Sequence, residues 1–196
     1  MSLPDKVPAR EYARIAAEVG WAPELVEALS LQESNGDPRA IRFEAKKWRQ
    51  FRFASRAARK FDNRKNPSDM DARWLMFESM DAVCRQDAWL NPAAANAAIY
   101  AHSFGWGQIM GFNHRVAGYE NPREFFQDMK TLEGQRRAIT NFILRSPHVL
   151  RAGKAGNEDF KLLAHHWNGS DYARNKWDQH VQRFFVSLKR EGTSYA

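Results

Sequence analysis

Glu33 has the residue type and the surroundings that acid catalysis requires. It ends an apolar, helix-forming segment, and a polar turn follows it at residues 34–38. A helix C-terminus carries partial negative charge and partial burial disfavours a carboxylate, so both effects raise the pKa of such a carboxyl. A glutamate that stays protonated can act as a general acid. The competing interpretation is an ordinary solvent-exposed glutamate at a helix end.

Glu44, eleven residues further along the chain, is the first candidate for a second catalytic carboxyl. A chain that reverses at residues 35–38 brings the two carboxyls to opposite sides of one cleft. Glycoside hydrolysis commonly uses two carboxyls, about 5 to 5.5 Å apart in retaining enzymes and about 6.5 to 9.5 Å apart in inverting ones. Asp37 and Glu78 are weaker candidates for this second acid. The competing interpretation makes Glu44 the ion-pair partner of a neighbouring cation: Arg39, Arg42 or Lys47.

Three glycines interrupt the helical periodicity in the middle of the chain. The segment reads Ser103-Phe104-Gly105-Trp106-Gly107-Gln108-Ile109-Met110-Gly111. Glycine allows a backbone to approach a ligand or another backbone closely. We therefore expect a loop or a tight extended segment at this point, with something packed against its main chain.

Helices must position these residues, because apolar side chains recur at helical spacing along most of the chain. The pattern predicts helices over about 8–19, 23–34, 43–61, 74–84, a short alanine-rich stretch after Asn91 and Pro92, 121–147, a segment capped by Asn157, and 177–188. Turn residues separate these segments. No strand of ordinary length is evident, so the predicted fold class is mostly α-helical.

The composition is typical of one compact domain over residues 1–196. The single cysteine, Cys84, is predicted to lie in the core, and it excludes a disulfide framework or a cysteine-based zinc site. The six histidines show no metal-ligand spacing, so we expect neither a metal nor another cofactor. The sequence contains no apolar run that predicts a signal peptide or a membrane span, which predicts synthesis in the cytoplasm.

The positive charge is concentrated in residues 39–65, which we call the basic segment. It holds eleven Lys or Arg against two acids, a net charge of +9, whereas the whole chain carries +7. Such a patch attracts polyanions. The charge alone does not choose among nucleic acid, anionic lipid and an acidic cell-wall polymer.

Three motifs in order resemble those of the lysozyme-like superfamily, which includes goose-type lysozymes and soluble lytic transglycosylases. They are Glu33-Ser34 after an apolar helix, Gly105 to Met110, and Trp167-Asn168-Gly169 followed by Tyr172. The run from Ser103 to His114, followed by Ala117-Gly118-Tyr119, is most similar to phage-type N-acetylmuramidase endolysins, and Phe43-Glu44 also resembles an element of that family. The resemblance covers about residues 20–188. It implies a single-domain, lysozyme-like helical fold with a short loop or small β element near the cleft, and no separate wall-binding domain.

The resemblance implies a peptidoglycan muramidase, which needs no cofactor and hydrolyses the β-1,4 bond between N-acetylmuramic acid and N-acetylglucosamine. Glu33 matches the catalytic glutamate, and Glu44 then orients water or stabilises the transition state. The residues implied to bind substrate are Ser103, Gln108, Ile109, Met110, His114, Asn168 and Tyr172. Two departures from the family patterns are Trp167, where Tyr is usual, and Gly111-Phe112, where transglycosylases often have proline. The second departure favours hydrolysis.

Three other functions compete with this prediction. A lytic transglycosylase would use one acid and the substrate's own C6 hydroxyl in place of water. A nucleic-acid-binding protein would use the basic segment and four stacking rings: Trp48, Phe51, Phe53 and Phe61. An inactive wall-binding or virion protein would keep only the fold.

The muramidase interpretation also predicts where the protein acts and what it meets. It is expected to be made in the host cytoplasm, to reach the cell wall after release through a separate pore, and to work as a monomer. Its partner is bacterial peptidoglycan rather than nucleic acid. The basic segment then contacts anionic wall or outer-membrane surfaces.

Overall fold

A computed structural model describes residues 3–52, 57–89 and 92–195, and within these ranges the chain forms ten α-helices and one small sheet. The helices are α1 (Ala9–Val19), α2 (Pro23–Ser34), α3 (Ala45–Phe51), α4 (Met70–Asp87), α5 (Ala97–Tyr100), α6 (Pro122–Asp128), α7 (Leu132–Leu144), α8 (Pro147–Ala152), α9 (Phe160–Asn168) and α10 (Trp177–Glu191). The strands are β1 (Ile41–Phe43), β2 (His102–Phe104) and β3 (Ile109–Met110), and short 3-10 turns lie at Ala57–Phe61, Pro92–Ala94, Gly111–Asn113 and Ser170–Asn175. The predicted mostly helical fold with a small β element is confirmed. In these ranges, none of the helices combines the length and the apolar sequence that crossing a membrane requires.

Helix α2 carries Glu33 on its last turn, and its sequence explains both of its ends. Pro23 stands at the first helical position, where its fixed φ suits a helix and its missing N–H is not needed. Asn35 ends the helix in the left-handed conformation (φ 56°), and its N–H donates to the Leu31 carbonyl. The buried side chains of the helix are Leu25, Val26, Ala28, Leu29 and Ser30. Helix α2 packs against α1 and α10, which fixes the position of its last turn.

The sheet is antiparallel, with β2 between β1 and β3. Its register aligns Ile41 with Phe104 and Ile109, and it aligns Arg42 with Ser103 and Met110. Successive residues of a strand point to opposite faces of a sheet. The first row is buried in the core. The second row therefore lies on the opposite face, on which a site can form.

Large aromatic side chains from the helices and the sheet share one core. Those that are almost fully buried are Trp48, Phe77, Phe104, Trp106 and Phe125. Cys84 is buried in this core, as predicted. His102 lies between the rings of Phe43 and Phe77, with Nδ1 2.7 Å from the Ala98 carbonyl oxygen. Burial lowers the pKa of His102 to about 4, so this histidine is a neutral core residue.

The helix predicted over residues 43–61 is wrong. The structure divides this segment into the end of β1, α3 and the 3-10 turn at Ala57–Phe61. The side chain of Asn66 explains the break, because it accepts a hydrogen bond from the Phe43 N–H (2.7 Å) and donates one to the Phe43 carbonyl (2.9 Å). These two bonds satisfy the backbone of Phe43 in an extended conformation. A helix can therefore begin only after Phe43.

Side-chain caps also change two predicted helix boundaries. Asn121 caps α6 as predicted, but the pattern over 121–147 is divided into separate helices. The division follows from Thr131, whose hydroxyl accepts a hydrogen bond (3.0 Å) from a backbone N–H in the first turn of α7. Asp159, and not Asn157, caps α9, and it accepts a backbone hydrogen bond of 2.9 Å. The predicted cap at Asn157 is therefore wrong by two residues.

The alanine-rich segment after Asn91 is less regular than predicted. Asn91 itself lies outside the described residues, and the 3-10 turn at Pro92–Ala94 precedes α5. Helix α5 packs against the 3-10 turn at Gly111–Asn113. A Cβ atom on Gly111 would collide with the Ile99 carbonyl oxygen, which belongs to α5. Glycine is required at position 111 by this close approach of two backbones.

Gly111→Ala is expected to destabilise the protein by about 3 kcal/mol, because the added methyl group forces two backbones apart. The free energy of unfolding, measured by urea denaturation, tests this. Gly192→Ala is the matched control, since Gly192 has a positive φ (65°) but open space around its missing Cβ. Only the left-handed conformation is then penalised, by about 1 kcal/mol. Equal losses in the two variants would contradict the proposed collision.

Candidate active site

A cleft of about 430 Å³ collects most of the residues that the sequence analysis singled out. Its lining residues are Glu33, Arg42, Glu44, Lys46, Lys47, Ser103, Gln108, Met110, Phe112, Asn113, His166, Trp167, Asn168 and Gly169. They come from the end of α2, the sheet, the start of α3, the turn after β3 and the end of α9. Six of the predicted site residues are among them: Glu33, Glu44, Ser103, Gln108, Met110 and Asn168.

Glu33 is partly buried at the wall of this cleft. Burial raises the pKa of its carboxyl from 4.5 to about 7. Three neighbours oppose this rise because they stabilise the carboxylate: the indole of Trp177, the positive charge of Arg42 and, more weakly, the indole of Trp167. Near neutral pH the carboxyl is therefore divided between its protonated and ionised forms. This division suits a group that must give up a proton and regain it.

Trp177 holds the Glu33 carboxyl directly. Its Nε1 donates a hydrogen bond of 2.9 Å to Oε1 of Glu33. Trp177 is the first residue of α10, which packs against α2, and only 3% of its surface is exposed. The preceding Lys176 has a positive φ of 50°, which turns the chain sharply into α10. The packing of two helices thus sets the orientation of one carboxyl.

Glu44 lines the same cleft and pairs with Arg42, so the ion-pair interpretation is confirmed, while its catalytic role stays a prediction. Its Oε1 accepts a hydrogen bond of 2.7 Å from Nε of Arg42, and Nη2 of Arg42 lies at an ion-pair distance of 2.7 Å from the same oxygen. The two residues lie two apart on an extended segment, which places them on the same face of the sheet. Arg42 therefore influences both Glu44 and Glu33. The weaker candidates Asp37 and Glu78 do not line the cleft.

The carboxamide of Gln108 closes the turn between β2 and β3. Its Oε1 accepts a hydrogen bond from the Ser103 hydroxyl (2.7 Å), and its Nε2 donates to the carbonyls of Gly105 (2.8 Å) and Ala40 (3.2 Å). Gln108 has a positive φ of 48°, which a tight turn demands. The oxygen and nitrogen of its side chain are thus already hydrogen-bonded to other groups of the protein. Gln108 offers the cleft its backbone rather than a free amide group.

Two side chains join this turn to the helices. The Ser34 hydroxyl, next to Glu33, donates to the Trp106 carbonyl over 3.0 Å. Gln135 in α7 accepts a hydrogen bond from the Trp106 N–H (3.1 Å) and donates to the Pro38 carbonyl (2.8 Å). The end of α2 and the loop after β2 are therefore held at a fixed separation. These contacts hold Glu33 and the loop in a fixed arrangement on one side of the cleft.

The end of α9 forms the opposite wall. Asn168 and Trp167 line the cleft, and the Trp167 ring packs edge-on against Phe142 with ring centroids 5.3 Å apart. His166 also lines the cleft, and its ring stacks on His148 at 4.5 Å. In the part of the chain that the structure describes, no three His, Cys, Asp or Glu side chains converge to hold a metal ion. This wall offers an amide, an indole and an imidazole to a polar ligand.

Three predicted binding residues lie outside the lining of the cleft. The Ile109 side chain belongs to the core face of the sheet and is 4% exposed. His114 is buried, and its ring stacks on Tyr100 with centroids 5.7 Å apart. Tyr172, in the 3-10 turn after α9, lies edge-on to the His165 ring. These residues share motifs with cleft residues, but their side chains support the cleft from behind or beside it.

In the described part of the basic segment, two of the four candidate stacking rings are buried. Trp48 and Phe61 are buried and pack edge-on against each other, with ring centroids 5.9 Å apart. Phe51 is partly buried and stacks on Phe112. Residues 53–56 of the segment, which include Phe53 and Arg56, lie outside the described residues. Trp48 and Phe61 are thus unavailable for stacking on bases.

Sequence analysis did not assign several lining residues to the site. Phe112 and Asn113 lie within the matched motif, so the motif itself could have indicated them. Lys46 is predicted only as a member of the basic segment, and Lys47 as a member of it and as a possible ion-pair partner of Glu44. Trp177 is 144 positions from Glu33, and no local pattern signals their contact. Only the packing of α10 on α2 reveals it.

Comparison with known proteins identifies the family of the chain. The sequence profile of the N-acetylmuramidase family matches residues 22–189. Among solved structures, the crystal structure of the Burkholderia AP3 phage endolysin has a similar fold, with a TM-score of 0.69 at 24% identity over 97% of this chain and 74% of that chain. A search of curated proteins finds no match. The family resemblance carried by the motifs is confirmed, and the chain belongs to the N-acetylmuramidase family.

Proposed function

We propose that this protein hydrolyses the β-1,4 bond between N-acetylmuramic acid and N-acetylglucosamine in peptidoglycan, with Glu33 as the general acid. Membership of the family implies peptidoglycan as the substrate. The observation that carries the rest of the proposal is the state of Glu33. It is a carboxyl with a pKa of about 7, held by an indole N–H at the wall of a cleft.

The hydrogen bond from Trp177 determines which oxygen of Glu33 delivers the proton. An indole N–H can only donate, so Oε1 serves as its acceptor and the proton of the neutral form resides on Oε2. Oε2 then protonates the glycosidic oxygen as the bond breaks. The carboxylate left behind keeps its hydrogen bond to Trp177, which becomes charge-assisted and stronger. The same contact therefore orients the acid before proton transfer and stabilises its conjugate base afterwards.

Glu44 supplies the second carboxyl of this mechanism. Its ion pair with Arg42 holds it in place, and its position at the cleft lets it act on a water molecule or on the sugar. A carboxylate there activates water or stabilises the oxocarbenium-like transition state. Arg42 gives the two carboxyls different electrostatic surroundings. It pairs with Glu44 by direct contact and acts on Glu33 only through its charge.

The sugar contacts come from backbone and amide groups. Among the described strands, β3 pairs with β2 alone, so its outer edge leaves backbone N–H and C=O groups for the N-acetyl substituents. Met110 and Ser103 flank that edge on the cleft face, and Asn168 offers a carboxamide to sugar hydroxyls from the opposite wall. These groups bind the uncharged hydroxyls and N-acetyl groups of the sugar chain between β3 and α9.

The biological setting that fits this activity is lysis of a bacterial host. The protein is then a phage endolysin that is made in the host cytoplasm, is released to the wall and acts as a monomer. The basic segment draws it toward anionic wall or outer-membrane surfaces. Its resemblance in fold to a phage endolysin supports this setting.

Glu33→Gln is expected to lower kcat by about 10²- to 10⁴-fold, because the amide keeps the shape of the side chain and removes its proton. The measurement is mass spectrometry of the sugars released from purified peptidoglycan, together with the rate of their release. Wild type should produce reducing N-acetylmuramic acid ends. Glu44→Gln should lose at least about tenfold in kcat, because the second carboxyl acts on the same bond. Glu78→Gln, which changes a carboxyl outside the cleft, should behave as wild type.

Other products would lead to other conclusions. Anhydro-muramic ends would make the protein a lytic transglycosylase and would remove the catalytic role of Glu44. A Glu33→Gln variant with unchanged rate would remove Glu33 from the mechanism. The absence of glycan cleavage by folded wild type would overturn the proposed hydrolysis.

Trp177→Phe is expected to shift the pH profile of kcat/KM toward alkaline pH. The protonated acid is the active form, so activity is full below the pKa of Glu33 and falls as pH rises through about 7. The indole stabilises the carboxylate, and its removal therefore raises this pKa further. The rate below the pKa should also fall, because the acid loses its orientation.

Trp21→Phe provides the matched control for this profile. Trp21 is also buried, and its Nε1 donates to the Leu150 carbonyl over 3.0 Å, outside the cleft. Its loss should reduce stability and leave the alkaline limb where it is in wild type. A Trp177→Phe variant whose alkaline limb stays in place, or moves to lower pH, would contradict the proposed role of the indole.

A further inference from the structure

The cleft carries more positive charge than a neutral sugar chain requires. Glycosidic oxygens, hydroxyls and N-acetyl groups have no net charge. Arg42 is paired with Glu44, but Lys46 and Lys47 line the same wall, and among the described residues no carboxylate lies within ion-pair distance of either amine. These two unpaired cations indicate a ligand that is negatively charged.

Lys47 is held in position before any ligand arrives. Its Nζ lies 4.5 Å from the centroid of the Phe112 ring, which also lines the cleft. The Phe112 ring stacks in turn on Phe51, with centroids 5.9 Å apart. Glu44 immediately precedes α3 and Lys47 lies in its first turn, and both residues line the cleft. The ammonium group and the second carboxyl of the proposed mechanism are therefore presented to the same cleft.

A lysine above a phenylalanine ring is not by itself a sign of a binding site. The same arrangement occurs away from the cleft in three pairs: Lys60 with Phe61, Lys130 with Phe126 and Lys189 with Phe185. What distinguishes Lys47 is its location in the cleft together with a second unpaired cation, Lys46. An ammonium group fixed in a partly enclosed site binds a carboxylate more strongly than one that moves freely in water.

We propose, building on the muramidase function above, that Lys47 and Lys46 form a carboxylate subsite next to the scissile bond. The ligand is a carboxylate carried by a substituent of the muramic acid, either on its peptide or on its lactyl group. Occupation of this subsite anchors the chain beside Glu44. The enzyme consequently prefers wall chains with free carboxylates over otherwise identical neutral chains.

The test compares wild type with two Lys47 variants on two substrates. Soluble, uncross-linked peptidoglycan chains are used as isolated and after their carboxyls have been converted to amides with carbodiimide and ammonia. Wild type should show about a fivefold to tenfold higher KM for the amidated chains at unchanged kcat. Lys47→Gln should show that higher KM on both substrates. Lys47→Arg, which keeps the charge, should retain most of the preference for untreated chains.

Lys189→Gln is the matched control, because it removes an equivalent lysine–phenylalanine pair outside the cleft. It should discriminate between the substrates as wild type does. In peptide-bearing chains the lactyl carboxyl is bound in an amide, so only muramic acids without peptide carry a free lactyl carboxylate. Chains stripped of peptide therefore show which carboxylates the subsite accepts. A wild-type KM close to that for untreated chains means that the subsite also accepts the lactyl carboxylate, and a KM close to that for amidated chains means that it requires a carboxylate of the peptide.

Two results would overturn the inference. One is equal KM of wild type for untreated and amidated chains. The other is a Lys47→Gln variant that loses the same factor on both substrates, since the lysine would then act without contacting a carboxylate. Failure of wild type to cleave any of the chains would instead overturn the proposed function, and this inference with it.

Discussion

The structure depends on keeping one carboxyl partly out of water while leaving it within reach of a substrate. Burial of Glu33 is unfavourable for its ionised form, and that penalty is what raises its pKa to about 7. The penalty is limited by the indole of Trp177, which α10 delivers to the last turn of α2. The packing of these two helices is therefore both a folding contact and a requirement for the chemistry. A change anywhere along the α2–α10 interface acts on the acid through this contact.

The small sheet positions the second carboxyl, Glu44, as the packing of α2 and α10 positions the first, Glu33. Pairing of β1 with β2 places Arg42 and Ser103 in one cross-strand row, and Glu44 follows on the same face. The turn after β2 is then fixed to α2 by Ser34 and to α7 by Gln135. Two carboxyls on different elements are thus held at one cleft by short hydrogen bonds. Their surroundings differ in charge. Among the described residues, Glu44 contacts a cation directly and Glu33 does not, and this difference separates their proposed roles.

The parts of the site that depend on local chemistry could be predicted from the sequence, and the parts that depend on packing could not. The end of α2 at Glu33 and the glycine-rich turn follow from cap and turn residues, and the chain reversal brings Glu44 to the same cleft. Strands of two or three residues show no periodicity, and the break before α3 depends on Asn66, 23 positions away. A motif also does not specify where each side chain points, as His114 shows. The contact of Trp177 with Glu33 requires the full arrangement of helices.

The central claim is that Glu33 is an acid whose pKa is raised by burial, and the most direct measurement is its titration. Carbon-13 NMR of protein labelled at the glutamate side-chain carboxyl follows each carboxyl through the pH range, and the spectrum of Glu33→Gln assigns the signal. The account predicts a midpoint near 7 for Glu33. A midpoint near the ordinary glutamate value, about 4.3, would contradict it. The carboxyl would then be ionised at neutral pH and could not deliver the proton.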